Sequence, residues 1–231
     1  RQARAEGHRV LATSRSEEGL ARLTALGATA LSLDAAQAAS CAGLAWSIDG
    51  EAFDQAWLVA GVYGPKTSGL EAPAESDFDT VMHTNVLAAM RLLPILGAHL
   101  VPGGRLAVLS SRMGSIGARS ATGGWLYRAS KAALNSVLKD ASLALAGRAV
   151  CVALHPGWVR TDMGGAGAEL AVERSVADLR ATVAGLTPGD IIVGFDDTPT
   201  AGVDDLHRIL DEERIGRPGR VTVLRAMGVA R

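Results

Sequence analysis

Cysteine is nearly absent: Cys41 and Cys151 are the only two in 231 residues, and they lie far apart. A disulfide framework or a cysteine-based metal site is therefore unsupported. The histidines, His8, His83, His99, His155 and His207, show no ligand spacing either. Net charge is lacking too. Lys plus Arg (23) almost cancels Asp plus Glu (24), leaving −1 and no electrostatic reason to expect nucleic acid or an anionic membrane surface as partner. No apolar run reaches the roughly 20 residues of a spanning helix, and no signal-peptide pattern is present. The expectation is a soluble, cytoplasmic protein. Aromatics make up 4% of the chain, and lysine is confined to Lys66, Lys131 and Lys139. What is present is 48% hydrophobic residues and 27 glycines, enough for one full-sized packed domain and a small appendage.

Short apolar runs alternate with helical patterns. Arg1–Glu6 suits a helix stopped by Gly7, and Arg9–Ser14 reads as a strand followed by a helix from Glu17 to about Leu26. Further strands are expected at Ala28–Leu33, Gln55–Ala60, Arg105–Ser110 and Ala149–Leu154, with long helices at Ser76–Leu100 and Trp125–Ala146. Nearly continuous apolar strands between amphipathic helices indicate a parallel sheet covered on both faces, a doubly wound α/β domain. Spacing changes near Gly185. Beyond it come a strand at Asp190–Phe195, a helix at Val203–Glu213 and a strand at Arg220–Arg225, which divides the chain into 1–186 and 187–231.

Tyr127 and Lys131 stand four apart at the start of a helix and share a face. A phenol ionises near pH ~10, too high for acid–base work at neutrality, and a nearby ammonium lowers that value. Read alone, the pair is equally a solvated helix face. Ser110 and Ser111 end the preceding strand at the carboxyl edge of the sheet, where such folds place ligands. Serines there also make turns. Asn85 lies within an apolar helix, so it needs a polar partner or a local distortion. The run from His155 to Thr161 follows the fifth strand and leaves backbone groups free to meet a ligand.

The segments Thr84-Asn85-Val86, Ser110-Ser111, Tyr127-Arg128-Ala129-Ser130-Lys131 and Pro156-Gly157-Trp158-Val159-Arg160-Thr161 occur in an order that resembles the short-chain dehydrogenase/reductases. Ser111-Arg112-Met113-Gly114-Ser115-Ile116 and Gly123-Gly124-Trp125 look like the C-factor and sniffer-type carbonyl reductase branch. The resemblance covers residues 1 to about 186 and implies a Rossmann-like fold and hydride transfer between a nicotinamide cofactor and a small carbonyl or alcohol. By the same resemblance Tyr127 would exchange the proton and Ser111 would polarise the carbonyl. Lys131 would lower the Tyr127 pKa and hold the ribose hydroxyls. Asn85 would fix a water in a proton relay through Lys131. Thr161 and the backbone of Pro156, Gly157 and Val159 would hold the carboxamide and pyrophosphate. Asp34 would lie beside the adenine, with Ala60 and Gly61 close to the adenosine ribose. Arg15 stands where a carboxylate would select NAD, so NADP is favoured. The family often pairs through its two long helices.

The sequence departs from that pattern at three places. The family's opening strand and glycine-rich phosphate turn are missing, so the expectation is a truncated domain with a gap in its sheet and weak or no dinucleotide binding. Val59 replaces the usual Asn before Ala60-Gly61. The tail from Gly185-Leu186-Thr187-Pro188-Gly189-Asp190 resembles half of an HtrA-type PDZ domain, a fold that binds peptides by strand addition. The alternative to a reductase is thus an inactive fragment or a binding module, either a dead reductase fold or a peptide-binding tail.

Overall fold

The computed structural model describes residues 1–187, 191–195, 198–199 and 221–224. A short helix α1 (Gln2–Ala5) precedes strand β1 (Leu11–Ser14), helix α2 (Glu17–Ala25), β2 (Thr29–Ser32), α3 (Ala38–Ser47) and β3 (Phe53–Leu58). Then come α4 (Glu75–Met82), a π-helical turn at His83–Leu87, α5 (Ala88–Ala98), β4 (Leu100–Leu109), α6 (Trp125–Ala144), β5 (Ala149–Leu154) and α7 (Val172–Gly185). Local chemistry sets several of these limits. Ser16 caps α2 by accepting from Gly19 N–H at 3.1 Å, with Glu17 and Glu18 in the first turn.

The parallel strands form two ladders, β1-β2 and β3-β4-β5. Strand β4 is buried on both faces, and its period of two sorts its side chains. Leu106 and Val108 join Ala56 and Leu58 in a core built with Cys41 and Leu44 of α3, Leu92 and Leu93 of α5, and Leu134 and Leu138 of α6. Ala107 and Leu109 face the other way, against Val183 and Leu179 of α7. That is the doubly wound arrangement the strand–helix alternation implies. Helix α1 is tied to α7, with Gln2 donating to the Glu173 carbonyl at 2.7 Å and Arg180 gripping Glu6 with both terminal nitrogens.

Some elements differ from the sequence reading. β3 starts and ends two residues earlier than expected, leaving Val59 and Ala60 beyond the strand. β4 begins at Leu100, opposite Phe53, and a register shift between Phe53 and Gln55 absorbs the Pro102–Gly104 stretch. The helix expected over Ser76–Leu100 runs from Glu75 to Ala98 and is interrupted by the π turn. It is long and apolar enough to cross a membrane by length and composition, a point the run-length reading missed. Val81, Asn85, Ala88, Ala89, Leu92 and Leu93 are nevertheless buried in the protein, which makes it a core helix. In the tail, β6 (Ile191–Phe195) pairs antiparallel with β7 (Thr198–Pro199) and β8 (Val221–Leu224). The helix expected at 203–213 lies outside the described residues.

What matters for function is that β3, β4 and β5 end at one edge of their ladder. The segments that follow them, 59–63, 110–115 and 155–161, all emerge there.

Candidate active site

Helix α6 is stitched to the end of β4 by residues spaced four apart. Tyr127 hydrogen-bonds with Ser111, Lys131 donates through Nζ to the Leu109 carbonyl at 2.9 Å, and Asn135 accepts from Ser110 Oγ at 2.6 Å. The 3₁₀ turn Arg112–Gly114 between them packs directly on α6. Gly114 makes that approach feasible, because a Cβ there would come 2.8 Å from the Lys131 carbonyl carbon. Ser111 also accepts from Met113 N–H at 3.1 Å, which fixes its hydroxyl at the start of the turn.

Asn85 enters from the π turn, where the wound-in extra residue turns it into the protein. Its Oδ1 accepts from Val62 N–H and its Nδ2 donates to the Val62 carbonyl, both at 2.8 Å. The second Nδ2 proton goes to Ser130 Oγ at 2.9 Å. Both the polar partner and the distortion that this residue demanded are therefore present. Gly61 lies between Asn85 Oδ1 and Lys131 Nζ, each 3.3 Å from where a Cβ would stand. Asn85, Ser111, Tyr127 and Lys131 are thus gathered at one edge, all of them buried.

Their electrostatics follow from that burial. Burial pushes the Tyr127 phenol above its ordinary value, the hydrogen bond to Ser111 opposes this, and Tyr63 adds to the rise. The Lys131 ammonium, 5.7 Å from the Tyr127 ring centroid, is pushed down to about 8 by desolvation. In the chain alone the phenol is thus raised rather than lowered as the pairing with Lys131 led one to expect, and burial is the chief cause.

The other expected residues are dispersed along the sheet edges. Arg15 is exposed just past β1, on the separate ladder. The Asp34 carboxylate accepts from Ala36 N–H at 3.0 Å, so it shapes its own turn. Ala60 is exposed beyond β3. Past β5, the Pro156 carbonyl accepts from Ser175 Oγ at 2.6 Å, Gly157 has φ +83°, and Val159 bridges to Leu170. Thr161 Oγ1 is exposed and accepts from Gly164 N–H at 3.2 Å.

Two residues at this edge escaped the sequence reading. Asn135 could have been found as the next position on the Tyr127–Lys131 face. Tyr63 could have been noticed because it is one of only two tyrosines. Its ring stacks on that of Tyr127, with centroids 4.6 Å apart and planes 24° apart.

Residues 1–188 match the family model described as enoyl-(acyl carrier protein) reductase. Over 116 residues the chain is 39% identical to C-signal of Myxococcus xanthus, covering 49% of this chain and 70% of that protein. It is 31% identical over 147 residues to 1-hydroxy-2-glutathionyl-2-methyl-3-butene dehydrogenase of Rhodococcus sp. strain AD45, covering 60% of this chain and 63% of that enzyme. Among solved structures, a short-chain dehydrogenase/reductase of Burkholderia multivorans with bound NADP superimposes with TM-score 0.73 at 29% identity, covering 80% of this chain and 85% of that one. Carbonyl reductase Sniffer of D. melanogaster gives TM-score 0.71 at 28% identity, covering 78% and 81%. With a family match over most of its length, Tyr127 and Lys131 on one helix face and Ser111 against the phenol, the chain belongs to the short-chain dehydrogenase/reductase family.

Proposed function

We propose that this chain is an NADP(H)-dependent oxidoreductase acting on a small carbonyl or alcohol, with Tyr127 as its acid–base group. The observation that carries the reading is the Ser111–Tyr127 hydrogen bond beside a buried Lys131. Bound NADP(H) supplies or accepts the hydride. The donor set suits it: an ammonium carries three protons, Leu109 takes one, and capacity remains towards the hydroxyls of a ribose. Ser111 donates to the substrate oxygen while Tyr127 delivers the proton, or removes it in the reverse direction. A phenol held above its ordinary value stays protonated through neutral pH, as the acid of a reduction requires. Lys131, with its pKa near 8, is mostly charged at pH 7 and favours negative charge developing on the phenol. Asn85 keeps one Oδ1 lone pair for a relay water, since both its amide protons are committed to the protein.

Arg15, exposed just past β1, would meet the 2′-phosphate that distinguishes NADP from NAD. By the family resemblance, Thr161 and the backbone of Pro156, Gly157 and Val159 would hold the carboxamide and pyrophosphate, and Ala60, Gly61 and Asp34 would border the adenosine. Pairing through the two long helices has support in exposed Phe78, Met90 and Leu143 on their surfaces.

The test is a fluorescence titration of the chain with NADPH and with NADH, followed by carbonyl-dependent NADPH oxidation. Saturable binding that prefers NADPH supports the reading, and no binding to the folded chain, the outcome the missing glycine-rich turn leads one to expect, overturns it for this chain. Replacing Tyr127 with Phe should cut turnover by roughly 10²–10⁴ while leaving NADPH affinity in place. Turnover retained in that variant removes Tyr127 as the acid, and NADPH binding without any turnover identifies a dead reductase fold.

A further inference from the structure

We propose that Tyr63 is a positioning residue for the acid–base group: its ring, stacked on that of Tyr127, fixes the plane of the phenol and screens it from water. The inference rests on the reading of Tyr127 as the acid, and it concerns how that acid is held.

The stack is a built arrangement. The rings lie 4.6 Å apart at 24°, within the range of an attractive aromatic pair. The residue before Tyr63 is clamped, because both backbone polar groups of Val62 bond to the Asn85 amide at 2.8 Å. Four residues on, the Thr67 carbonyl accepts from Gly124 N–H at 3.1 Å, docking the same segment on the start of α6. Gly124 is also the residue that leaves room for the Tyr63 hydroxyl, since a Cβ there would stand 2.5 Å from Oη. Gly64, at φ +78°, turns the chain immediately after the ring, where a Cβ would come 2.5 Å from Val81 Cγ2. Asn85 therefore reaches Tyr127 by two routes, through the 62–63 segment and through Ser130, whose Oγ donates to the Tyr127 backbone carbonyl at 2.8 Å.

A phenol at the open edge of a sheet would ordinarily be wet. Tyr127 is only 7% exposed, and the ring above it is one cause. The groups facing the phenol are Lys131 from its own helix, Ser111 from the end of β4, and Tyr63 from the segment after β3. Of these, Tyr63 lays a whole ring against the phenol at 4.6 Å, whereas Lys131 brings only its ammonium over the ring, 5.7 Å from the centroid. Removing its ring admits water to the phenol, which eases ionisation, and frees the phenol to turn away from the bond to Ser111.

The chain's two tyrosines make a direct test available, because any substitution of Tyr63 leaves Tyr127 as the sole phenol. Tyrosinate absorbance is titrated in Tyr63→Phe, Tyr63→Leu and Tyr63→Ala, each confirmed as folded by circular dichroism. The phenol of Tyr63→Phe is expected to ionise above the ordinary tyrosine range, with a lower midpoint in Tyr63→Ala and Tyr63→Leu between them. With a carbonyl substrate, kcat is expected to hold in Tyr63→Phe and to fall about twofold to tenfold in Tyr63→Ala, the rate equivalent of one stacked pair, while KM moves less. Should Tyr63→Ala misfold, Tyr63→Leu against Tyr63→Phe carries the same comparison. Equal midpoints and equal kcat across the series overturn the proposal. A fully active Tyr127→Phe enzyme would instead overturn the acid assignment, and would leave the titration as evidence for the stack alone.

Discussion

An ammonium 4% exposed, with a backbone carbonyl as its hydrogen-bond acceptor, is a liability to the fold that its chemistry must justify. Burial lowers the Lys131 pKa from 10.5 to about 8. Between those values the unfolded chain binds more protons than the folded one, so this group makes stability rise with pH through that window. Below pH 8 the whole penalty is present, about 3 kcal/mol as an upper bound. Replacing Lys131 with Met should therefore abolish turnover and yet raise the melting temperature at pH 7. The gain over wild type should shrink as the pH passes from about 8 towards 10. Cys41 and Cys151, whose thiols burial pushes upward, act oppositely from about pH 9, which is why the difference between the two proteins is the quantity to follow. A melting difference constant with pH would show that the ammonium is not buried as a charge. In the reductive direction, wild-type activity should fall as pH rises through about 8, because Lys131 loses its proton there. At this scale the sequence was most informative about Tyr127 and Lys131, where a spacing of four on a helix has geometric meaning. Tyr63 carries no such period, and only the folded chain brings it to Tyr127.

The helix from Glu75 to Ala98 shows what an element must do when a polar group is needed inside it. Asn85 sits within a long helical run, and the chain winds in one extra residue at His83–Leu87 to aim it inward. The sequence signalled the anomaly without its resolution, because Asn85 bonds partners 23 and 45 residues away. The start of β4 was hidden for a related reason. Pro102, Gly103 and Gly104 interrupt the apolar run that marks a strand, but Leu100 still pairs with Phe53 across a register shift. Removing the Asn85 amide in Asn85→Ala leaves the Val62 N–H and carbonyl without their partner, a loss of about 1–3 kcal/mol. Urea unfolding should show that loss, and amide exchange at Val62 should quicken. Wild-type exchange at Val62 in the variant would mean that the segment carrying Tyr63 is held by something other than this clamp.

Across the whole molecule, the proposed cofactor site spans two bodies of unequal firmness. Strands β3, β4 and β5 carry the buried core, and Leu106 and Ala107 are wholly inaccessible. Strands β1 and β2 contain no fully buried residue among those described, and Leu11, Leu31 and Leu33 only lean on that core. No backbone ladder joins the two among the described residues. Their links include Arg91 donating to the Ala36 carbonyl at 3.2 Å and the Arg9–Glu51 ion pair, an exposed contact that water and salt weaken. Local stability follows buried apolar contact, so the amides of Ala12–Ser14 should exchange much faster than those of Leu106–Val108. Arg15 belongs to the softer ladder and Tyr127 to the firmer one. A dinucleotide that meets both would bridge them and stabilise the softer ladder by mass action. NADPH should therefore slow exchange in β1 and at Arg15 by a larger factor than in β4, and NADH should do so less. Slowing confined to β3, β4 and β5 would place the nicotinamide end at Lys131 while removing Arg15 as the reader of the 2′-phosphate.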